Sequence, residues 1–212
     1  MNKLTATTLL VAVAASLAAC SGETGGNPRP AEPAASTGAT GSSAADQPGG
    51  PKIANPLDVS PYLGNPCELT PLPKLAAAGY TEPGEPKTED DVAKVLAGPS
   101  CHWSGAEPGV GMTVQVQTGN RDSGIGGVAG LEKAKQSRQL GFLEQTEDIG
   151  GYPAYFAGQS DRRATGNCGL AVGIADDLTF TVTSLGYQGA QDSCENSVRV
   201  AGIVIDTLKG GA

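Results

Sequence analysis

The sequence predicts an α+β domain, a twisted antiparallel sheet with helices packed on one face and two disulfides, and three observations carry that prediction. From Cys101 onward, hydropathy alternates with a period of two in several short runs, the period of half-buried strands. The last two of these runs are separated only by Asp176-Asp177, room for a tight hairpin and nothing longer, so neighbouring strands run antiparallel. The C-terminal stretch instead carries Cys194, Val198, Ala201, Ile205 and Leu208 at spacings of four, three, four and three, one face of a helix.

Taken in order, the ordered elements begin where apolar residues return, at Ile53, Leu57, Val59, Tyr62 and Leu63. Asn65-Pro66-Cys67-Glu68-Leu69-Thr70-Pro71 reads as a turn into a helix, with Thr70 as N-cap and Pro71 at the first helical position, where its missing N–H costs nothing. Leu72, Leu75 and Ala76 share a face, and Gly79 ends the helix. A second helix is expected over Glu89–Ala97, capped by Thr88 and stopped by Gly98-Pro99. Strand periodicity then takes over: Cys101 and Trp103 fall opposite His102, and Val110, Met112, Val114 and Val116 alternate with polar or small residues. A Gly-rich turn from Gly119 to Gly127 leads to a helix over Val128–Leu140 with a thin apolar face. Phe142–Ile149, Pro153–Ala157, Cys168–Ala175 and Leu178–Leu185 read as strands, and the final helix is closed by Gly210-Gly211.

The N-terminus carries a different signal. Lys3 is a short cationic start, and the apolar run from Leu9 to Ala19 that comes after it is too short to span a bilayer and has the length of a signal-peptide core. Leu17-Ala18-Ala19-Cys20 closely resembles the lipobox of bacterial lipoprotein signals, which implies cleavage after Ala19 and a diacylglyceryl group on Cys20. At about 0.8 kcal/mol per buried methylene, two acyl chains anchor a protein stably where one does so only marginally. The expected organisation is therefore a signal peptide over 1–19, a Gly/Pro/Ser/Ala-rich disordered tether over 20–54 and a single domain over 55–212. A tether of that composition reaches roughly 30 to 40 Å. It places the domain on the extracytoplasmic side of the cell membrane. The formal charge of −8 is offset by no basic cluster, which argues against nucleic acid as a partner.

The segments Asn65-Pro66-Cys67-Glu68-Leu69-Thr70, Cys101-His102-Trp103 and Gly151-Tyr152-Pro153-Ala154, with Cys168 before a strand and Cys194 opening the last helix, resemble actinobacterial lipoproteins that carry domain of unknown function 3558. The resemblance spans roughly Asn65 to Leu208 and implies location and architecture, not an activity. Pro73 stands where such proteins more often have an acidic residue, which implies a shorter first helix here.

With Cys20 taken by lipid, four cysteines remain in an oxidising compartment, and four allow three connectivities. Cys168 has the parity of Leu170, Val172 and Ile174, and Cys194 lies on the apolar stripe of the last helix, so both are expected at one sheet–helix seam. Cys101 shares its strand face with Trp103, and Cys67 opens a first helix that few apolar residues hold. The expected pairs are Cys67–Cys101 and Cys168–Cys194.

Catalytic and metal chemistry find little support. Gly124-Ile125-Gly126-Gly127-Val128-Ala129 matches a dinucleotide-binding pattern, but the surrounding strands read as antiparallel, so a Gly-rich turn is the better reading. Ser160 lacks the second glycine of a nucleophile elbow, His102 is the only histidine, and no C-x-x-C pair or calcium-loop spacing occurs. No cofactor, no metal and no catalytic residue is expected. The aromatic cluster Tyr152, Tyr155 and Phe156 is the candidate binding surface. The expected role is non-catalytic envelope binding or an accessory function, toward an envelope protein or a small apolar ligand. The alternatives are a small-ligand or lipid carrier and an unrecognised envelope hydrolase.

Overall fold

A computed structural model of the chain describes residues 50–88 and 97–210. The signal segment with Cys20, nearly all of the tether and the second expected helix (89–96 of its residues) lie outside the described residues.

Seven strands form one antiparallel sheet: β1 (Glu85–Lys87), β2 (Ser100–Ser104), β3 (Gly111–Val116), β4 (Phe142–Gln145), β5 (Ala154–Gly158), β6 (Cys168–Ala175) and β7 (Leu178–Leu185). Their spatial order is β1-β2-β3-β7-β6-β5-β4. After β3 the chain passes through two helices, α2 (Thr118–Asp122) and α3 (Gly127–Gln136), and starts again at the far edge with β4; β7 then closes the gap beside β3. Residues alternate across the sheet, and register aligns one apolar face: Val114 with Val182, Val116 with Phe180, Leu170 with Val182 and Val172 with Phe180.

That face receives the C-terminal helix α4 (Ala190–Leu208), whose Val200, Ala201, Val204 and Ile205 are fully buried, and the segment from Val59 to Tyr80. α3 lies on the opposite face, where Val128 approaches Gly173. The expected one-sided arrangement thus holds for α4 and the N-terminal segment, while the crossover from β3 to β4 carries α3 over the other side.

Several boundaries differ from the periodicity. Thr70 is not the N-cap: helix α1 (Leu72–Leu75) starts one residue later with Pro71 in that place, and Thr70 is extended, as the residue before a proline tends to be. Its Oγ1 is buried without a hydrogen-bond partner. The last turn of this helix tightens into a 3-10 turn over Ala76–Ala78, and Gly79 ends it in the left-handed region at φ 85°. α2 occupies part of the expected Gly-rich turn. α3 ends at Gln136, because Lys135 to Gln139 offer no apolar residue to bury and the chain reverses at Arg138, φ 62°. β4 stops at Gln145, four residues before Ile149.

Val198 departs from the expected stripe of α4 and is 37% exposed. The helix is rolled toward Ser193, Asn196 and Ser197, which are polar yet buried. A hydrogen-bond network satisfies them: Asn196 Nδ2 donates to Ser184 Oγ at 2.9 Å and to the Tyr80 hydroxyl at 3.3 Å, and Ser197 Oγ donates to the Cys168 carbonyl at 3.0 Å. The Tyr80 and Tyr187 hydroxyls bond each other, and burial pushes the Tyr80 phenol far above its ordinary value. Both disulfides are formed, Cys67–Cys101 and Cys168–Cys194, with Cα–Cα distances of 5.1 and 5.2 Å. The second joins the first residue of β6 to α4 beside this network, as strand parity and helical spacing require.

Candidate functional site

The face of the sheet under α3 is built from small residues. In β6 the large side chains Leu170, Val172 and Ile174 turn to the core, and Gly169, Ala171 and Gly173 turn the other way. The register sets Thr183 beside Gly169, Thr181 beside Ala171 and Thr179 beside Gly173. A sheet face covered by a helix is ordinarily filled by interdigitating side chains at close-packed density. Here the helix supplies little to fill it.

α3 reaches this face through its glycines. A Cβ on Gly126 would stand 1.9 Å from the Asp177 carbonyl oxygen, and one on Gly127, at φ 69°, would stand 2.1 Å from that of Asp176. The Gly-rich pattern therefore seats the start of the helix on the β6–β7 turn. Val128 closes the hairpin end. Beyond it, Gly130, Leu131, Ala134 and Leu140 stand over Ala157, Gly169, Ala171, Thr181 and Thr183 and leave a groove of about 490 Å³.

The polar groups of the groove converge at one end. Gln117, 9% exposed, donates through Nε2 to Thr181 Oγ1 and Gln115 Oε1, both at 3.2 Å, and accepts at Oε1 from Asn120 Nδ2 at 2.9 Å. Lys133, Ser137 and Gln139 line it as well. The lining includes hydroxyls, amides and one ammonium, and no histidine, cysteine or carboxylate among the described residues. Such a set can hold and orient a ligand.

The aromatic residues singled out in the sequence do not share one surface. Tyr155 and Phe156 are neighbours on β5 and so point to opposite faces. Tyr152 and Tyr155 border a cleft of about 950 Å³ with the 51–57 segment. Some of its polar groups are engaged: Tyr152 donates its hydroxyl to the Asn55 carbonyl at 2.7 Å, and Lys209 Nζ donates to the Gly150 carbonyl at 2.7 Å while lying over the Tyr152 ring. Lys52 pairs with Asp176 at 2.7 Å. Burial pushes the Tyr155 phenol up, and Glu132 and Asp148 add to the shift. Phe156, on the core side, stacks with Phe142 on Arg163, whose guanidinium also binds Glu144 and Asp161.

His102 Nδ1 bonds Thr113 Oγ1 at 3.1 Å on the open part of the sheet, and Ser160 is exposed after β5. Among the described residues no group of three or more His, Cys, Asp or Glu side chains is placed to hold a metal, and no helix is long and apolar enough to cross a membrane. The groove itself is a site that the search for motifs misses. Its signal is present as Gly-x-Ala-x-Gly-x-Ala from Gly169 and Thr-x-Thr-x-Thr from Thr179: two strands in which every second residue is small or hydroxylated.

No curated protein and no solved structure matches this chain. The family model described as a protein of unknown function, DUF3558, matches residues 15–207, a stretch that includes Cys20 and the four paired cysteines, and the chain belongs to that family.

Proposed function

We propose that this is an exported, lipid-anchored binding protein whose groove between α3 and the sheet holds a small, narrow apolar or amphiphilic ligand. The observation that carries this reading is the space itself. About 490 Å³ remains under a helix, over a floor of Gly, Ala and Thr, with the buried Gln117 amide and the half-buried Asn120 amide at one end. That volume is within the range of small-molecule pockets, and its lining has their character: mostly apolar, with a few placed polar groups. The anchor rests on the lipobox, and Cys20 lies inside the stretch that defines the family. Binding rather than turnover is the reading because the lining of the groove has no histidine, cysteine or carboxylate among the described residues.

Saturable binding of a neutral, environment-sensitive naphthylamine dye tests the groove. Wild type should bind it, and Ala134→Trp, which places an indole in the groove from a partly exposed helix position, should lose at least tenfold in affinity while unfolding at the same temperature. Undiminished binding by that variant would move the site elsewhere.

A further inference from the structure

The groove is not electrically neutral. Asp and Glu outnumber Lys and Arg in the chain by 22 to 14, yet no carboxylate lines the groove, and its one titratable lining residue is Lys133. Among the described residues Lys133 pairs with no carboxylate, as is also true of Arg138, Arg162, Arg199 and Lys209; of these cations it is the one that lines the groove. The shape is also restrictive. Thr179 to Thr183 span about 13 Å at roughly 3.3 Å per residue, and the floor beside them is Gly169 and Ala171 with Ala157 on the next strand, a space of about 490 Å³ that suits one chain better than a two-chain lipid.

Resting on the reading of the groove as a ligand site, we propose that its ligand is a single-chain anionic amphiphile. The hydrocarbon lies along Ala171 and Thr181 beneath Leu131, and the anionic head is held by the Lys133 ammonium. The competing explanation of Lys133 is local: a cation in the last turn of α3 complements the helix dipole. That role would show in stability and leave affinity unchanged.

The test is calorimetric titration of the full chain carrying Cys20→Ser, which frees it of acyl chains and detergent, with decanoate, a lysophosphatidylglycerol and decanol. At least one of the two anions should bind about three- to fivefold more tightly than decanol, the gain of one exposed ion pair. The preference should shrink as salt is raised and vanish in Lys133→Gln. The tighter of the two anions identifies the source, a carboxylate or a phosphate. Equal affinity for decanol and both anions, or a preference unchanged in Lys133→Gln, overturns the head-group assignment and leaves the groove standing. A Lys133→Gln variant that is less stable yet binds as wild type overturns it as well, in favour of the dipole role. Failure of all three ligands to bind, or binding that survives both Ala134→Trp and Leu140→Trp, overturns the groove itself.

Discussion

Arg163 is the residue on which most local interactions meet. Its guanidinium lies 5.1 and 5.4 Å from the ring centroids of Phe142 and Phe156 and donates to both oxygens of Glu144, at 3.2 and 2.8 Å, and to Asp161. The hydrogen bonds from Arg163 lower the Glu144 carboxyl and draw that of Asp161 from 3.8 to about 2. A carboxylate with a lowered folded pKa contributes stability above its unfolded value and loses it as pH falls through the folded one. For Asp161 the window runs from about pH 4 down to about pH 2. Both carboxylates are solvent-exposed, so the contribution is screened. Thermal unfolding followed across that window should show a shallower acid slope in Asp161→Asn than in wild type; parallel slopes would remove the ion pair from the account. Arg163→Lys keeps the charge but loses the planar fork and the ring contacts, and should cost about 1 kcal/mol in urea unfolding. A larger effect is expected inside. Ser184→Ala deprives the buried Asn196 Nδ2 of its shorter hydrogen bond and Ser197 of a partner, at about 1 to 3 kcal/mol.

The two long-range helices of the crossover and the C-terminus differ in what holds them. α4 buries eight residues and is fastened by Cys168–Cys194; α3 buries Gly127, Val128 and Gly130, two of them without side chains. Few buried apolar contacts mean low local stability. Amide exchange should therefore be faster over Leu131–Gln136 than over Val200–Ile205, and saturating ligand should slow the former selectively. Equal protection of the two helices without ligand would contradict this. Each disulfide closes a loop, with separations of 34 and 26 residues, and by chain entropy contributes about 3.5 kcal/mol. The double variant Cys168→Ala/Cys194→Ala should fall in stability by about that amount. The bounds of β6 and β7 were readable residue for residue, because β-branched and apolar residues alternate there without interruption. Cys168–Cys194 was readable from the same parity, and Cys67–Cys101 from the strand face of Cys101 and the place of Cys67 before a first helix with few apolar residues. The roll of α4 was not, since hydropathy gives no weight to Ser193, Asn196 and Ser197, which are buried only because Ser184, Tyr80 and the Cys168 carbonyl meet them from other elements. Nor was the groove, for an empty volume depends on where a distant helix is seated, and that seating depends on Gly126 and Gly127 meeting the β6–β7 turn.

For the molecule as a whole, the first described residues lie beside the groove. Leu57 N donates to the Ile174 carbonyl at the irregularity of β6, Ile53 N and Lys52 bind Asp176, and Gly50 lies against Ala129. The chain thus runs from α3, past the β6–β7 turn, into the domain. The helix that covers the groove is the one that Gly50 meets. In the proposed arrangement lipid on Cys20 holds this domain at the outer surface of the cell membrane, and Cys20→Ala should leave unprocessed precursor or release protein to the medium; unchanged acylation and anchoring would refute that anchor. The binding site itself is tested most directly by photolabelling the full chain with an apolar, diazirine-bearing chain and mapping the modified peptides by mass spectrometry. Saturable labelling confined to the groove-lining stretches 117–140, 157, 169–171 and 179–183, and lost on adding unlabelled decanol or decanoate, is the result predicted. Labelling centred on the 51–57 and 145–155 cleft, or labelling that does not saturate, would contradict it.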